Sequence, residues 1–192
     1  SLTLGAHEMA TLPDELCSLS NLRSLAVGGN PLSELPDSLS GLAMLQSLDI
    51  GDCAFSAVPP EVNGLASLTE LRMGGNRIGS LPAWLLSNTT IGTLDLSGNL
   101  IAFLPADCFA AMTALTSLDL SGNYLNPDAP PSGLPGDTVM SPQTTYAIAL
   151  DFDGGSGEPL PKPGYWFGET IPLPAATRDE SIFVGWDVDG DG

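Results

Sequence analysis

A repeat of about two dozen residues constrains this chain more than any other feature, because only a stacked array can use one block so many times. The segment Leu22-Arg-Ser-Leu25-Ala-Val27-Gly-Gly-Asn30 returns as Leu45/Leu48/Ile50/Cys53, Leu68/Leu71/Met73/Asn76, Ile91/Leu94/Leu96/Asn99 and Leu115/Leu118/Leu120/Asn123, stepping by 23 residues three times and then by 24. A partial copy, with Leu2, Leu4, His7 and Met9 in register, precedes them. Each copy but the last runs on to an apolar–proline pair: Leu12-Pro13, Leu35-Pro36, Val58-Pro59, Leu81-Pro82 and Leu104-Pro105. The alternating pair of aliphatic residues predicts a short strand with both side chains on one face. The proline removes a donor and fixes φ, which ends the strand and favours an extended or 3₁₀ return. About six apolar side chains per copy are then buried, each worth roughly 1.5–3 kcal/mol. No copy can bury its inner face alone, so the array is stabilised neighbour by neighbour.

These columns resemble the leucine-rich-repeat family over residues 1–126. The resemblance implies a leucine-rich-repeat solenoid of about six turns, with a curved parallel β-sheet on the concave side and 3₁₀ or extended chain on the convex side. It also implies a structural role for Asn30, Asn76, Asn99 and Asn123, whose side chains bond loop backbone of adjacent turns in that family. Cys53 occupies the same column, where a small, weakly polar side chain fits without chemistry of its own. His7 falls there too, and as the single histidine it has no partner for a metal site or a catalytic dyad.

Cys17 and Cys108 both fall on the convex side, with Cys108 expected in the core column of Leu16, Leu39, Val62 and Leu85. Four turns of about 4.8 Å separate the two cysteines by nearly 20 Å, too far for a disulfide, so free thiols are predicted. The convex column Leu19, Leu42, Leu65 and Met112 is interrupted by Asn88, which predicts a local irregularity over 87–90.

Charge narrows the function classes. The formal net charge is −18, from 23 acidic and 5 basic side chains, and it disfavours both phosphate backbones and anionic lipid heads. No nucleic-acid partner is expected, and no apolar run reaches the ~18 residues of a membrane helix. A hydrolase triad lacks a base, a phosphate loop lacks its lysine (Lys162 stands alone), and zinc spacing is missing, so no enzyme and no cofactor is expected. The chain starts in mid-pattern, and any leader or first cap is expected upstream.

The family resemblance implies that partners meet the exposed strand positions of the concave side. Those columns read Ser24, Ser47, Glu70, Thr93, Ser117 and Ala26, Asp49, Arg72, Asp95, Asp119, flanked by small residues and Asp52. The acidic residues Asp49, Asp52, Glu70, Asp95 and Asp119, with Arg72 among them, are the candidate binding residues for a protein ligand, best a basic one. Arg72 between Asp49 and Asp95 also suits a ladder of cross-strand ion pairs. Six strands at ~4.8 Å offer only about 380 Å² of face, less than the ~800 Å² per side of a standard interface. No aromatic residue stands in these columns to anchor one.

After Asn126 the repeat leucines stop. Residues 127–145 read as a Pro-rich connector that could also cross the last turn and shield its apolar end. Over 146–192, Tyr146, Ile148 and Leu150 alternate before an Asp151-Phe-Asp-Gly-Gly155 turn, and Ile182-Phe-Val-Gly-Trp186 reads as a later strand. That order is similar to the B-repeat of Listeria-type internalins and related bacterial surface proteins. Glu180-Ser181 stand where that family carries Gly-Tyr. The similarity implies a small β-rich, β-grasp-like module, expected to be truncated, on a secreted, wall-attached protein. The terminal Asp187, Asp189 and Asp191 match the first half of a calcium loop, which needs ligands out to its twelfth position. Calcium is therefore an expectation for a longer parent chain.

The combined expectation is a non-catalytic bacterial cell-surface or secreted protein for adhesion or recognition of a host or cell-surface receptor. Two other classes use the same solenoid: an intracellular scaffold or secreted effector, and a stalk with no ligand.

Overall fold

The computed structural model describes residues 1–5, 7–128, 130–147, 150, 156–157, 160, 164–165, 169–174 and 176–177. It divides into two units, Ser1–Thr144 and Thr145–Gly192.

The first unit is a parallel sheet of seven strands in chain order: β1 (Leu2–Thr3), β2 (Ser24–Ala26), β3 (Ser47–Asp49), β4 (Glu70–Arg72), β5 (Thr93–Asp95), β6 (Ser117–Asp119) and β7 (Asp137–Val139). Its register follows the repeat without a slip, pairing Leu25, Leu48, Leu71, Leu94 and Leu118 across successive strands. These central leucines are at most 1% exposed, and so are Val27, Ile50, Met73, Leu96 and Leu120. Two or three residues suffice for each strand because the next turn supplies the partner amides.

Proline opens the first four return paths as its backbone chemistry requires. Pro13, Pro36 and Pro59 sit extended at φ −71°, −63° and −60°, each opening a 3₁₀ turn: Asp14–Ser18, Asp37–Gly41 and Pro60–Gly64. The fourth return is instead a short α-helix, α1 (Ala83–Leu86). Asn88 explains the change. Elsewhere the amide of Leu22, Leu45, Leu68 or Leu115 bonds the carbonyl of the convex residue three before it. In this turn the Oδ1 of Asn88 accepts from the Ile91 amide at 2.8 Å and the Thr90 amide at 2.9 Å. A side-chain carbonyl thus replaces a backbone one, and the irregularity expected over 87–90 lies there.

The residue before each ladder position turns left-handed. Gly29, Gly75, Gly98 and Gly122 have φ of 73°, 69°, 60° and 68°, and Asp52 stands among them at 49°. Glycine meets no Cβ penalty there, and aspartate is one of the few residues that tolerate it.

Two expectations need correction. Cys108 does not fill the convex core column; it is half-buried, and Phe109, 3% exposed, takes that place. The extra residue of the 24-residue step is absorbed here, where Asp107 adopts a φ of 55°. Residues 127–145, read as a connector that could also cross the last turn and shield its apolar end, do cross it, and they carry a strand not expected there: β7 extends the sheet by pairing Leu118 with Thr138. Thr138 and Met140 stand where the other turns carry inward aliphatic residues, and Met140 and Leu134 pack against the core.

In the second unit, β8 (Tyr146–Ala147) pairs antiparallel with β10 (Gly164–Tyr165), and β9 (Ser156–Gly157) with β11 (Ala176–Thr177). Ile148, the 151–155 turn, the 182–186 strand and the acidic triplet Asp187, Asp189 and Asp191 lie outside the described residues.

Candidate binding surface

The asparagine column is a ladder that welds each turn to the one before it. The Oδ1 of Asn76, Asn99 and Asn123 accepts the amides of Phe55, Ile78 and Ile101, each at 3.0 Å. Each Nδ2 donates to the strand carbonyl of the preceding turn: Ile50, Met73 and Leu96 at 2.9 Å. The same Nδ2 groups reach Met73, Leu96 and Leu120 in their own turns at 3.0 Å. Asn30 does likewise toward Leu4 and Val27, and its Oδ1 takes the amides of His7 and Met9. His7 thus enters the ladder through its backbone while its side chain is exposed. At Cys53 the thiol makes weaker contacts, to Gly51 O at 3.4 Å and Val27 O at 3.8 Å. Burial pushes the Cys53 thiol pKa up, against the pull of nearby backbone amides, and burial does the same at Cys108.

Sequence reasoning missed a further rung. Gln143 Oε1 accepts the Leu125 amide at 3.1 Å, while Nε2 donates to Leu120 O at 2.8 Å and to Met140 O. Those partners are the counterparts of the ones Asn123 uses one turn earlier. The signal was the spacing alone, three residues after Met140, as Asn123 follows Leu120.

On the concave face the strands bring Asp49, Arg72 and Asp95 side by side, and Asp119 next to Asp95. The expected ladder of cross-strand ion pairs is not what forms. Arg72 pairs with Glu70, two residues before it on the same strand face. The aspartates are engaged elsewhere: Asp49 Oδ1 accepts the Gly51 amide at 3.0 Å, Asp95 Oδ1 the Ser97 amide at 2.9 Å, and Asp119 Oδ1 the Ser121 amide at 2.9 Å. Each carboxylate caps the turn that leaves its strand, and among the described residues its second oxygen accepts no hydrogen bond. Asp52 sits past the strand end, in the left-handed column, exposed. Strand β7 adds Asp137 and Val139 to this face.

The surface is acidic, with 14 acidic and 3 basic side chains up to Thr144. Among the described residues no group of three or more His, Cys, Asp or Glu is arranged to hold a metal ion, and no helix is long and apolar enough to cross a membrane.

A second surface was overlooked in the sequence. Leu100 and Phe103, which follow the ladder residue Asn99, are 47% and 63% exposed on the flank beyond the strand ends. Comparing equivalent positions in each turn would have found them. The first of these columns reads Pro31, Ala54, Arg77, Leu100, Tyr124, and the second Glu34, Ala57, Ser80, Phe103, Pro127.

Comparison with known proteins agrees with this geometry. A family model described as Leucine rich repeat matches residues 66–125, and a second of the same description matches 21–42. The solenoid of this chain is built of leucine-rich repeats. No curated protein matches it. Among solved structures, this leucine-rich-repeat protein is similar to an internalin from Listeria monocytogenes, at 27% identity and TM-score 0.53, over 60% of this chain and 33% of that one. A leucine-rich-repeat protein of Leptospira interrogans shares its fold at 23% identity and TM-score 0.52, over 62% of this chain and 36% of that one. So does the leucine-rich-repeat domain of the type III effector XopL, at 24% identity and TM-score 0.54, over 65% of this chain and 49% of that one. The chain therefore spans a third to a half of the length of these structures. Leucine-rich-repeat domains are protein-recognition scaffolds, and this one has internalin-like structural neighbours.

Proposed function

We propose that this leucine-rich-repeat protein is a non-catalytic recognition element of a bacterial cell-surface or secreted protein, mediating adhesion through its solenoid. The observation that carries the reading is the concave face: a rigid, in-register row of Asp49, Arg72, Asp95 and Asp119, held by the ladder beneath. Preorganisation of that kind reduces the ordering cost of binding. The acidic balance favours a basic protein partner. Adhesion at a cell surface is supported by the likeness to an internalin and by the B-repeat similarity of residues 146–186. In that setting residues 146–192 act as a spacer, and calcium at Asp187, Asp189 and Asp191 belongs to a longer chain.

The test is capture from host surface extracts by the immobilised chain, with an Asp49→Ala/Arg72→Ala/Asp95→Ala variant beside it. A partner bound by the natural chain and lost with the variant supports the reading. A chain that captures nothing is the ligand-free stalk, and the proposal fails.

A further inference from the structure

We infer that Asn88, on the fourth return path, is an acceptor for N-linked carbohydrate that the folded chain presents to solvent. Of the eight asparagines, Asn88 alone has Ser or Thr two places on, in Asn88-Thr89-Thr90, with no proline between. That tripeptide is the pattern read by enzymes that glycosylate asparagine. The structure separates this amide from the others in the repeat. The side chains of Asn30, Asn76, Asn99 and Asn123 are buried, and their Nδ2 groups are committed to strand carbonyls. Asn88 bonds through Oδ1 only, which accepts the Thr90 amide at 2.9 Å, the Thr90 hydroxyl at 3.2 Å and the Ile91 amide at 2.8 Å. Two backbone donors on one oxygen fix which way the amide points. Its Nδ2 donates to nothing among the described residues and is open to solvent.

The needs of the fold do not account for that nitrogen. Leu42, Leu65 and Met112 fill the same place in other turns and are at most 3% exposed, so an apolar side chain packs there. Capping a turn calls for an oxygen, which aspartate supplies at Asp49, Asp95 and Asp119. Charge marks the same spot. Residues 78–94 are the longest uncharged stretch in a chain of net charge −18, and the segments stacked on either side, 62–69 and 108–118, are uncharged too. Activated sugars are diphosphate esters, and an anionic donor is repelled least here. In the transfer, Nδ2 forms a bond to the sugar C1, and the bond from C1 to the diphosphate oxygen breaks with its electron pair leaving on the diphosphate. One Nδ2 proton passes to a base of the transferase. The product keeps Oδ1 as a carbonyl acceptor, so the three hydrogen bonds of the turn survive. Asn88 stands off the strand columns, so this inference does not depend on the recognition reading.

Two donors share this chemistry, a nucleoside diphosphate sugar and a polyprenyl-diphosphate oligosaccharide, and the test gives each its own arm. The folded full chain is incubated with uridine diphosphate glucose and a soluble asparagine glucosyltransferase, or with the lipid-linked oligosaccharide and a membrane oligosaccharyltransferase. Each enzyme is first shown to be active on a short Asn-Ala-Thr peptide. Intact mass and peptide mapping should find one glycan per chain, on Asn88, in at least one arm, and that arm names the donor. Thr90→Ala should abolish the transfer, and Thr90→Ser should retain it. Asn88→Asp keeps the oxygen cap, so it should melt as the natural chain does and carry no sugar. No transfer to the folded chain in either arm, transfer only after unfolding in urea, or transfer to Asn88→Asp would overturn the inference.

Discussion

At the scale of single residues, one side chain per turn carries a disproportionate share of the fold. Asn76 serves three buried backbone groups, the Phe55 amide and the carbonyls of Ile50 and Met73, which no water can reach. Replacing it by alanine leaves the Phe55 amide and the Ile50 carbonyl unpaired, while Met73 O keeps Asn99 Nδ2; at about 1–3 kcal/mol for each unsatisfied group the expected loss is about 2 kcal/mol or more in urea unfolding. Cys53 is the reverse case. Its sulfur makes longer contacts in the same column, so Cys53→Asn should raise stability by about 1 kcal/mol by completing the ladder. A loss on Cys53→Asn would mean that the rung is shaped for sulfur.

The same thiol gives a pH signature. Burial raises its pKa above the ordinary value, so the native state keeps the neutral form longer than the unfolded chain does. That contribution is whole below the ordinary thiol pKa and is lost as pH rises through the shifted value. Alkylation of Cys53, followed by mass spectrometry in the native chain, should lag behind a model thiol at neutral pH and accelerate only above the ordinary thiol range. A rate at pH 7 equal to the model thiol's would contradict it.

At the scale of elements, what could be read from the sequence followed what repeats. Strands β2 to β6 and their inward leucines were legible because five copies agree on position. The proline turns were legible too, since a missing donor stops a strand wherever it falls. Strand β7 was not, because Thr138 stands where leucine was sought and Gln143 where asparagine was. The cross-strand ion pairs failed for a different reason: register placed Arg72 between two aspartates, but Arg72 pairs with Glu70 on its own strand, and each aspartate turns one carboxylate oxygen to its own turn at Gly51 or Ser97. Phe109 displaced Cys108 because an inserted residue shifts burial by one place without altering the proline spacing. Of the candidate face, the columns were readable and the hydrogen bonds that occupy them were not. The seventh turn makes its own prediction. Gln143 spans the Leu125 amide and the Leu120 carbonyl, so Gln143→Ala should cost about 1–3 kcal/mol, measured as a drop in the urea midpoint. Gln143→Asn, one methylene shorter, should recover only part of it.

At the scale of the whole molecule, a solenoid divides its labour by face. The inner aliphatic columns and the ladder hold the turns together, and they leave strand faces and flanks free to vary. That freedom is why Arg77 and Ser80 in one turn can become Leu100 and Phe103 in the next without disturbing the sheet. It is also why the composition of the surface, not the fold, carries whatever specificity the protein has. All of this depends on each turn handing its amide to the ladder residue of the next. Amide hydrogen exchange tests that claim most directly. The amides of Phe55, Ile78, Ile101 and Leu125 should all be protected in the natural chain. In the Gln143→Ala variant, Leu125 alone of the four should lose most of its protection. Free exchange of these amides in the natural chain, or a Leu125 amide indifferent to the loss of Gln143, would contradict the account.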